Sequence, residues 1–193
     1  AVGVTGMQMG TNRLYGHHAA QGQNYDSSKS DPPAPGAVYY ATRTTLNNKD
    51  TLSSTVEEVN VILGDAGDTF NIDSTYLGRT NITTSGGDDK VIIGSTTTGL
   101  YPHSTSRADF IHGTLTVKGE SGTDTLELND SGDDVANVGS FTGASVTGLG
   151  LAGTLAFQTI DKLSIRLGAQ ADTFYIPTTP SGVTTTGGNG WRI

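Results

Sequence analysis

The chain has 193 residues, a formal net charge of −8, no cysteine and 27 glycines. The negative charge argues against a nucleic-acid partner, and the missing cysteine excludes disulfides and thiolate zinc sites. No apolar run approaches the roughly 18 residues that a membrane span needs, and the length fits a single domain. An acidic composition rich in Thr, Gly, Asn and Asp is typical of exported proteins, so we expect an extracellular or cell-surface location.

Residues 1–36 are predicted to form an irregular N-terminal arm. They contain scattered glycines and the proline-rich stretch Asp31–Gly36, and no period of a strand or helix persists through them. Proline cannot donate a hydrogen bond to a sheet, so the arm is expected to end near Gly36. We expect it to cap the following domain or to contact a neighbouring subunit.

From Ala37 onward, short apolar alternations are separated by Gly, Asp, Asn and Thr. Each alternation places β-branched or aromatic residues on one face, as in a half-buried strand. The candidate strands are residues 59–63, 69–72, 90–93, 114–117, 125–128, 163–167 and 173–176. An all-β fold over residues 37–193 is therefore predicted.

An internal repeat links residues 56–72 to residues 160–176 at a constant offset of about 104 residues. Both copies read as a strand, a Gly-rich turn, an Asp and a second strand, which makes Phe70 and Phe174 equivalent interior residues. Units of this kind have an apolar face too small to bury alone, so they stack on one another. A parallel β-helix is therefore predicted, and a sandwich built from hairpins is the alternative.

The turns resemble two groups of repeats. Leu-Gly-Ala-Gln-Ala-Asp-Thr-Phe at 167–174 and Gly-Gly-Asp-Asp at 86–89 resemble the β-helical repeat of large bacterial surface and adhesin-like proteins. Gly-Glu-Ser-Gly-Thr-Asp-Thr-Leu at 119–126 resembles, more weakly, the hemolysin-type (RTX) repeat, which forms a calcium-binding β-roll. The first resemblance covers residues 56–193 and implies a structural protein of the cell surface.

Four turn aspartates are candidate calcium ligands: Asp68, Asp89, Asp124 and Asp172. Calcium needs six to eight oxygens, and one carboxylate in each widely spaced turn does not supply them. The favoured interpretation is that each carboxylate accepts backbone N–H groups where a strand begins. No cofactor is expected to be required for folding, and calcium is the open alternative.

A catalytic site is the competing interpretation of residues 101–112, which carry His103, Arg107, Asp109 and His112. Acid–base catalysis requires such groups to converge on one groove, and nothing in the sequence orders them. The chain is therefore predicted not to be an enzyme.

The predicted function is a structural module of an extracellular fibre, filament or surface adhesin that assembles end to end. Its partners are expected to be copies of itself or adjacent repeats of a longer chain, with Trp191 and Ile193 as apolar assembly residues. The alternatives are a β-helix that binds or cleaves carbohydrate, such as a surface polysaccharide, and a calcium-dependent secreted β-roll.

Overall fold

A computed structural model describes residues 2–7, 11–15, 18–19, 37–39, 42–46, 49–53, 56–94, 106–178 and 184–187. These residues form strands and connecting turns and contain no helix, which confirms the all-β prediction. The first strands in the chain, described by their backbone, are β1 (Val2–Met7), β2 (Thr11–Tyr15), β3 (His18–Ala19), β4 (Ala37–Tyr39), β5 (Thr42–Leu46) and β6 (Lys49–Ser53). The strands that follow are β7 (Glu58–Leu63), β8 (Thr69–Ser74), β9 (Arg79–Thr83), β10 (Lys90–Ile93), β11 (Thr114–Lys118), β12 (Thr125–Asn129), β13 (Val138–Thr142), β14 (Ser145–Gly148), β15 (Leu151–Gln158), β16 (Lys162–Arg166), β17 (Thr173–Thr178) and β18 (Thr184–Gly187).

These strands form three sheets. The eight-stranded sheet has the order β1-β7-β9-β11-β15-β14-β13-β17, and the seven-stranded sheet has the order β18-β16-β12-β10-β8-β2-β4. A three-stranded sheet contains β3, β5 and β6. From β7 to β12 the chain alternates between the two larger sheets, and each strand pairs in parallel with the next strand of its own sheet.

The hydrophobic core lies between the two larger sheets. Residues in register on parallel strands point to the same side, so like side chains form rows across each sheet. The central row of the eight-stranded sheet is Val61, Ile82, Val117 and Phe157. The facing row of the seven-stranded sheet is Ile72, Ile93, Leu128 and Ile165. Each fully buried aliphatic side chain contributes about 1.5–3 kcal/mol, so these rows dominate the stability of the sheets.

A meander interrupts the parallel order of the eight-stranded sheet. Strand β14 is antiparallel to both β13 and β15, so hairpins occur where the sequence predicted only parallel stacking. The β14–β15 turn consists of Leu149 and Gly150, whose φ angles are 52° and 77°. Two positive φ values are typical of a type I′ turn, normally built from Asn-Gly or Asp-Gly. The Leu149 side chain is fully buried, which offsets the strain of its backbone.

The described strands also bear on the predicted arm and on the internal repeat. The division of the chain at residue 36 stays a prediction. Strands β1 and β2 fall within the predicted irregular arm, and they pair in parallel with β7 and β8 respectively. The two copies of the internal repeat also lie differently: β8 belongs to the seven-stranded sheet and β17 to the eight-stranded sheet. Phe70 and Phe174 are both buried, as predicted, but they occupy opposite sheets.

Candidate functional site

A row of aspartates runs along one edge of the seven-stranded sheet, at the point where its strands begin. Asp68, Asp89 and Asp124 directly precede β8, β10 and β12, and Asp161 directly precedes β16. The first residues of these four strands are in register, so the aspartates follow one another along the edge. We call these four residues the aspartate row.

Each carboxylate in the row from Asp89 onward accepts the backbone N–H of the aspartate on the preceding strand. Asp89 Oδ1 accepts the N–H of Asp68 at 2.6 Å, and Asp124 Oδ1 accepts the N–H of Asp89 at 3.2 Å. Asp161 Oδ2 accepts the N–H of Asp124 at 2.9 Å. Carboxylates were predicted to accept backbone N–H groups, and here the donors belong to the neighbouring strand junction. The row therefore cross-links successive strands of the sheet.

Backbone bonds reinforce the same junctions. The N–H of Lys90 donates to the carbonyl of Asp68 at 2.8 Å, and the N–H of Thr125 donates to the carbonyl of Asp89 at 2.8 Å. Each junction therefore combines a side-chain acceptor with a backbone acceptor. A hydrogen bond to a charged group contributes about 1.5–3 kcal/mol, roughly twice the value for neutral partners.

Burial makes the ionised forms of Asp89 and Asp124, two members of the row, unfavourable. Asp68, Asp89 and Asp124 are 4%, 2% and 1% exposed. Burial raises the pKa of Asp89, the Asp124 and Asp68 charges raise it further, and the N–H of Asp68 opposes the shift. Burial likewise raises the pKa of Asp124, and the Asp161 charge adds to it. Backbone donors therefore offset only part of the cost of burying these two carboxylates.

Asp172 does not belong to the row, although the sequence repeat matches it to Asp68. It precedes β17 in the eight-stranded sheet, and its Oδ1 accepts the N–H of Asn137 at 2.9 Å. Asp161, which is not among the residues predicted from the sequence, completes the row in its place. The pattern Asp-Lys followed by an apolar residue, at 89–91 and again at 161–163, is the signal that identifies it.

A second acidic cluster lies where segment 106–111 meets the turns that precede β13 and β17. It comprises Asp109, Asp130, Asp133, Asp134 and Asp172 together with Arg107, and we call it the Asp130 cluster. The N–H of Ala108 donates to Asp130 Oδ1 at 2.8 Å, and the N–H of Gly132 donates to the Ser106 carbonyl at 3.0 Å.

Arg107 pairs with three carboxylates of the Asp130 cluster, those of Asp109, Asp133 and Asp134. Its guanidinium lies 2.7 Å from Asp134, 3.3 Å from Asp133 and 3.8 Å from Asp109. Asp130 is completely buried, and its Oδ2 has no hydrogen-bond partner among the described residues. Burial raises the pKa of Asp130 to about 7, and the charges of Asp133, Asp109 and Asp172 add to the shift.

The structure places the remaining candidate residues as follows. Of the predicted acid–base group, Arg107 and Asp109 belong to the Asp130 cluster, whereas the N–H of His112 donates to Thr75 Oγ1 at 3.1 Å. His103, Trp191 and Ile193 lie outside the described residues. The absence of enzymatic activity stays a prediction.

Within the described part of the chain, no group of three or more His, Cys, Asp or Glu side chains is arranged to hold a metal ion. Calcium at Asp68, Asp89, Asp124 and Asp172 stays a prediction. No described segment forms a helix with the length and apolarity to cross a lipid bilayer. Comparison with known proteins finds no matching family model, no matching curated protein and no matching solved structure.

Proposed function

We propose that the chain is a structural module of an extracellular fibre, filament or surface adhesin, built as a parallel β-solenoid. In this proposal each pair of strands, one from each of the larger sheets, is one coil, as in β7–β8, β9–β10 and β11–β12. The observation that carries the proposal is the aspartate row, because the same bond from carboxylate to backbone recurs at successive strand junctions. A recurring junction supports a stack that grows by repetition of one unit.

The outward faces of the sheets support a structural role. On the seven-stranded sheet, Glu127 accepts from Lys90 Nζ at 2.9 Å and from Arg166 Nε at 3.0 Å, so one carboxylate ties together three adjacent strands. On the eight-stranded sheet, Asn81 Nδ2 donates to Asn60 Oδ1 at 2.8 Å and to Glu58 Oε1 at 3.0 Å. These polar contacts run along the stack, as the aspartate row does.

A parallel stack has chemically different edges at its two ends. One end of a module therefore complements the opposite end of another module, and such a contact extends into a filament instead of closing into a ring. In the described residues, β17 and β18 are the last strands at one end of the larger sheets. We propose that copies of the chain, or adjacent repeats of a longer chain, continue the sheets from there. Trp191 and Ile193 are the proposed apolar contacts.

Sedimentation velocity over a concentration series, followed by negative-stain electron microscopy, tests end-to-end assembly. The wild-type chain is expected to form particles whose sedimentation coefficient rises with concentration and that appear as filaments. A variant with Trp191→Ser and Ile193→Ser is expected to associate less. Leu77→Ser is the matched control, because Leu77 is 64% exposed in the turn between β8 and β9. A wild-type chain that stays monomeric at every concentration contradicts self-assembly.

A further inference from the structure

The Asp130 cluster joins three separate parts of the chain. Segment 106–111 reaches it through the bond from the Ala108 N–H to Asp130 Oδ1. Strand β16 reaches it through the Arg166 carbonyl, which accepts the N–H of Asp130 at 2.9 Å. The turn before β17 reaches it through Ala169, whose N–H donates to the Asp133 carbonyl at 3.1 Å. Asp130 therefore lies at the centre of these connections.

The charges around Asp130 are unbalanced. From its own turn it faces Asp133, from segment 106–111 it faces Asp109, and from the turn before β17 it faces Asp172. Arg107 lies against Asp109, Asp133 and Asp134. The Arg166 guanidinium, on β16, is paired with Glu127 instead. The ion pairs of Arg107 are with these three carboxylates, and within the described residues no ion pair joins a cation to Asp130 itself.

Two buried carboxylate oxygens of the cluster, Asp130 Oδ2 and Asp172 Oδ2, have no hydrogen-bond partner among the described residues. Their residues are 0% and 1% exposed. A buried carboxylate without a cation or a full set of donors is strongly disfavoured, and Asp130 becomes neutral by taking up a proton. A proton is the smallest ligand that removes this charge without a change in packing.

We propose that the Asp130 cluster is a proton-dependent clasp, in which neutral Asp130 fastens segment 106–111 to the turns before β13 and β17 and ionised Asp130 loosens them. The proposal is independent of the proposed structural function. Burial and the neighbouring aspartates favour the protonated acid in the folded protein and not in the unfolded chain. The clasp therefore contributes fully to stability below about pH 4, and its contribution falls as the pH rises toward about 7.

Urea unfolding of the full chain between pH 4 and pH 8, followed by circular dichroism, tests the clasp. Asp130→Asn replaces the acid with an uncharged group of the same shape. Because the pKa of Asp130 moves from 3.8 to about 7, its ionisation is expected to lower the folding equilibrium constant on the order of 1000-fold across this range. Asp130→Asn is expected to lack this component and to exceed the wild type in stability at pH 8.

Asp65→Asn is the matched control, because Asp65 is an exposed acid in the turn between β7 and β8. It is expected to keep the pH profile of the wild type. Equal pH profiles for the wild type and Asp130→Asn overturn the proposal, as does an Asp130→Asn chain that folds at pH 4 and is less stable than the wild type at pH 8.

Two further measurements keep the test decisive. If Asp130→Asn does not fold, ¹³C NMR titration of the Asp130 carboxyl in the wild-type chain decides: a midpoint near pH 7 supports the clasp and an ordinary midpoint overturns it. Calcium chloride added at pH 8 is the other measurement. If calcium stabilises the wild type and not Asp130→Asn, the cluster holds a metal cation instead of a proton and the proposal fails.

Discussion

Replacement of Asp89 by alanine and by asparagine separates the two contributions of a residue in the aspartate row. Asp89 is 2% exposed, and its Oδ1 accepts the N–H of Asp68 at 2.6 Å. Asp89→Ala leaves this buried N–H without its acceptor, which costs about 1–3 kcal/mol. Asp89→Asn keeps an acceptor oxygen and removes a charge that lies near Asp68 and Asp124.

The sign of the asparagine effect follows from the pKa of Asp89. Burial and the two neighbouring carboxylates raise this pKa, so the folded protein disfavours the ionised form relative to the unfolded chain. Stability from the neutral acid is complete below the unfolded pKa and decreases as the pH rises. At pH 7, Asp89→Asn is therefore expected to be at least as stable as the wild type, and Asp89→Ala is expected to be less stable.

The assay is urea unfolding at pH 7, followed by circular dichroism. Asp65→Ala and Asp65→Asn are the matched controls, since Asp65 is exposed, and they are expected to change stability by less than about 0.5 kcal/mol. An Asp89→Ala chain as stable as the wild type would refute the cross-linking role of the carboxylate. Equal losses for Asp89→Ala and Asp89→Asn would show that the charge, and not the acceptor, is what the junction requires.

Three further outcomes follow from the core, the packing of the turns and the spacing of the aspartates. Phe174→Ala, at a position 1% exposed, is expected to lose about 3–5 kcal/mol of stability in urea unfolding, whereas Tyr175→Ala, at 59% exposure, loses little. Gly153→Ala is expected to lower the melting temperature, because a Cβ would lie 1.9 Å from the Gly113 carbonyl oxygen. Excess chelator is expected to leave the β-type circular dichroism spectrum intact, and collapse to a coil spectrum would favour the calcium-dependent β-roll.

The sequence predicted strands well where apolar alternation was strong. Residues 90–93 and 125–128, for example, were expected as strands and fall within β10 and β12. Strand β9 was missed because Ile82 is its one large apolar residue. Its other inward position holds Thr80, which is 1% exposed. Because threonine is polar, the alternation of apolar and polar residues that marks a strand is absent there. Burial of a polar residue is decided by the neighbouring strands, which the local pattern does not contain.

The meander was missed for a different reason. Its turn uses Leu149 at a positive φ, where the local signal for a hairpin is Asn-Gly or Asp-Gly. Burial of the leucine side chain against the core overrides the local preference of the backbone. The candidate site was partly predicted, since Asp68, Asp89 and Asp124 belong to one row. The position of Asp172 could not be predicted, because the local pattern does not show to which sheet each intervening strand belongs.

The two copies of the repeat show what the repeated sequence specifies. In the first copy the chain crosses from the eight-stranded sheet, at β7, to the seven-stranded sheet, at β8, and in the second copy it crosses in the opposite direction, from β16 to β17. The repeat therefore encodes a crossing between sheets and not a place in one of them. Asp89 precedes β10 and accepts the N–H of Asp68, the residue before the adjacent strand β8. In the same way, Asp172 precedes β17 and accepts the N–H of Asn137, the residue before the adjacent strand β13. The same hydrogen bond therefore forms at the start of strands in both sheets. An aspartate before a strand accepts the backbone N–H of the residue before the adjacent strand, whichever sheet the strand enters.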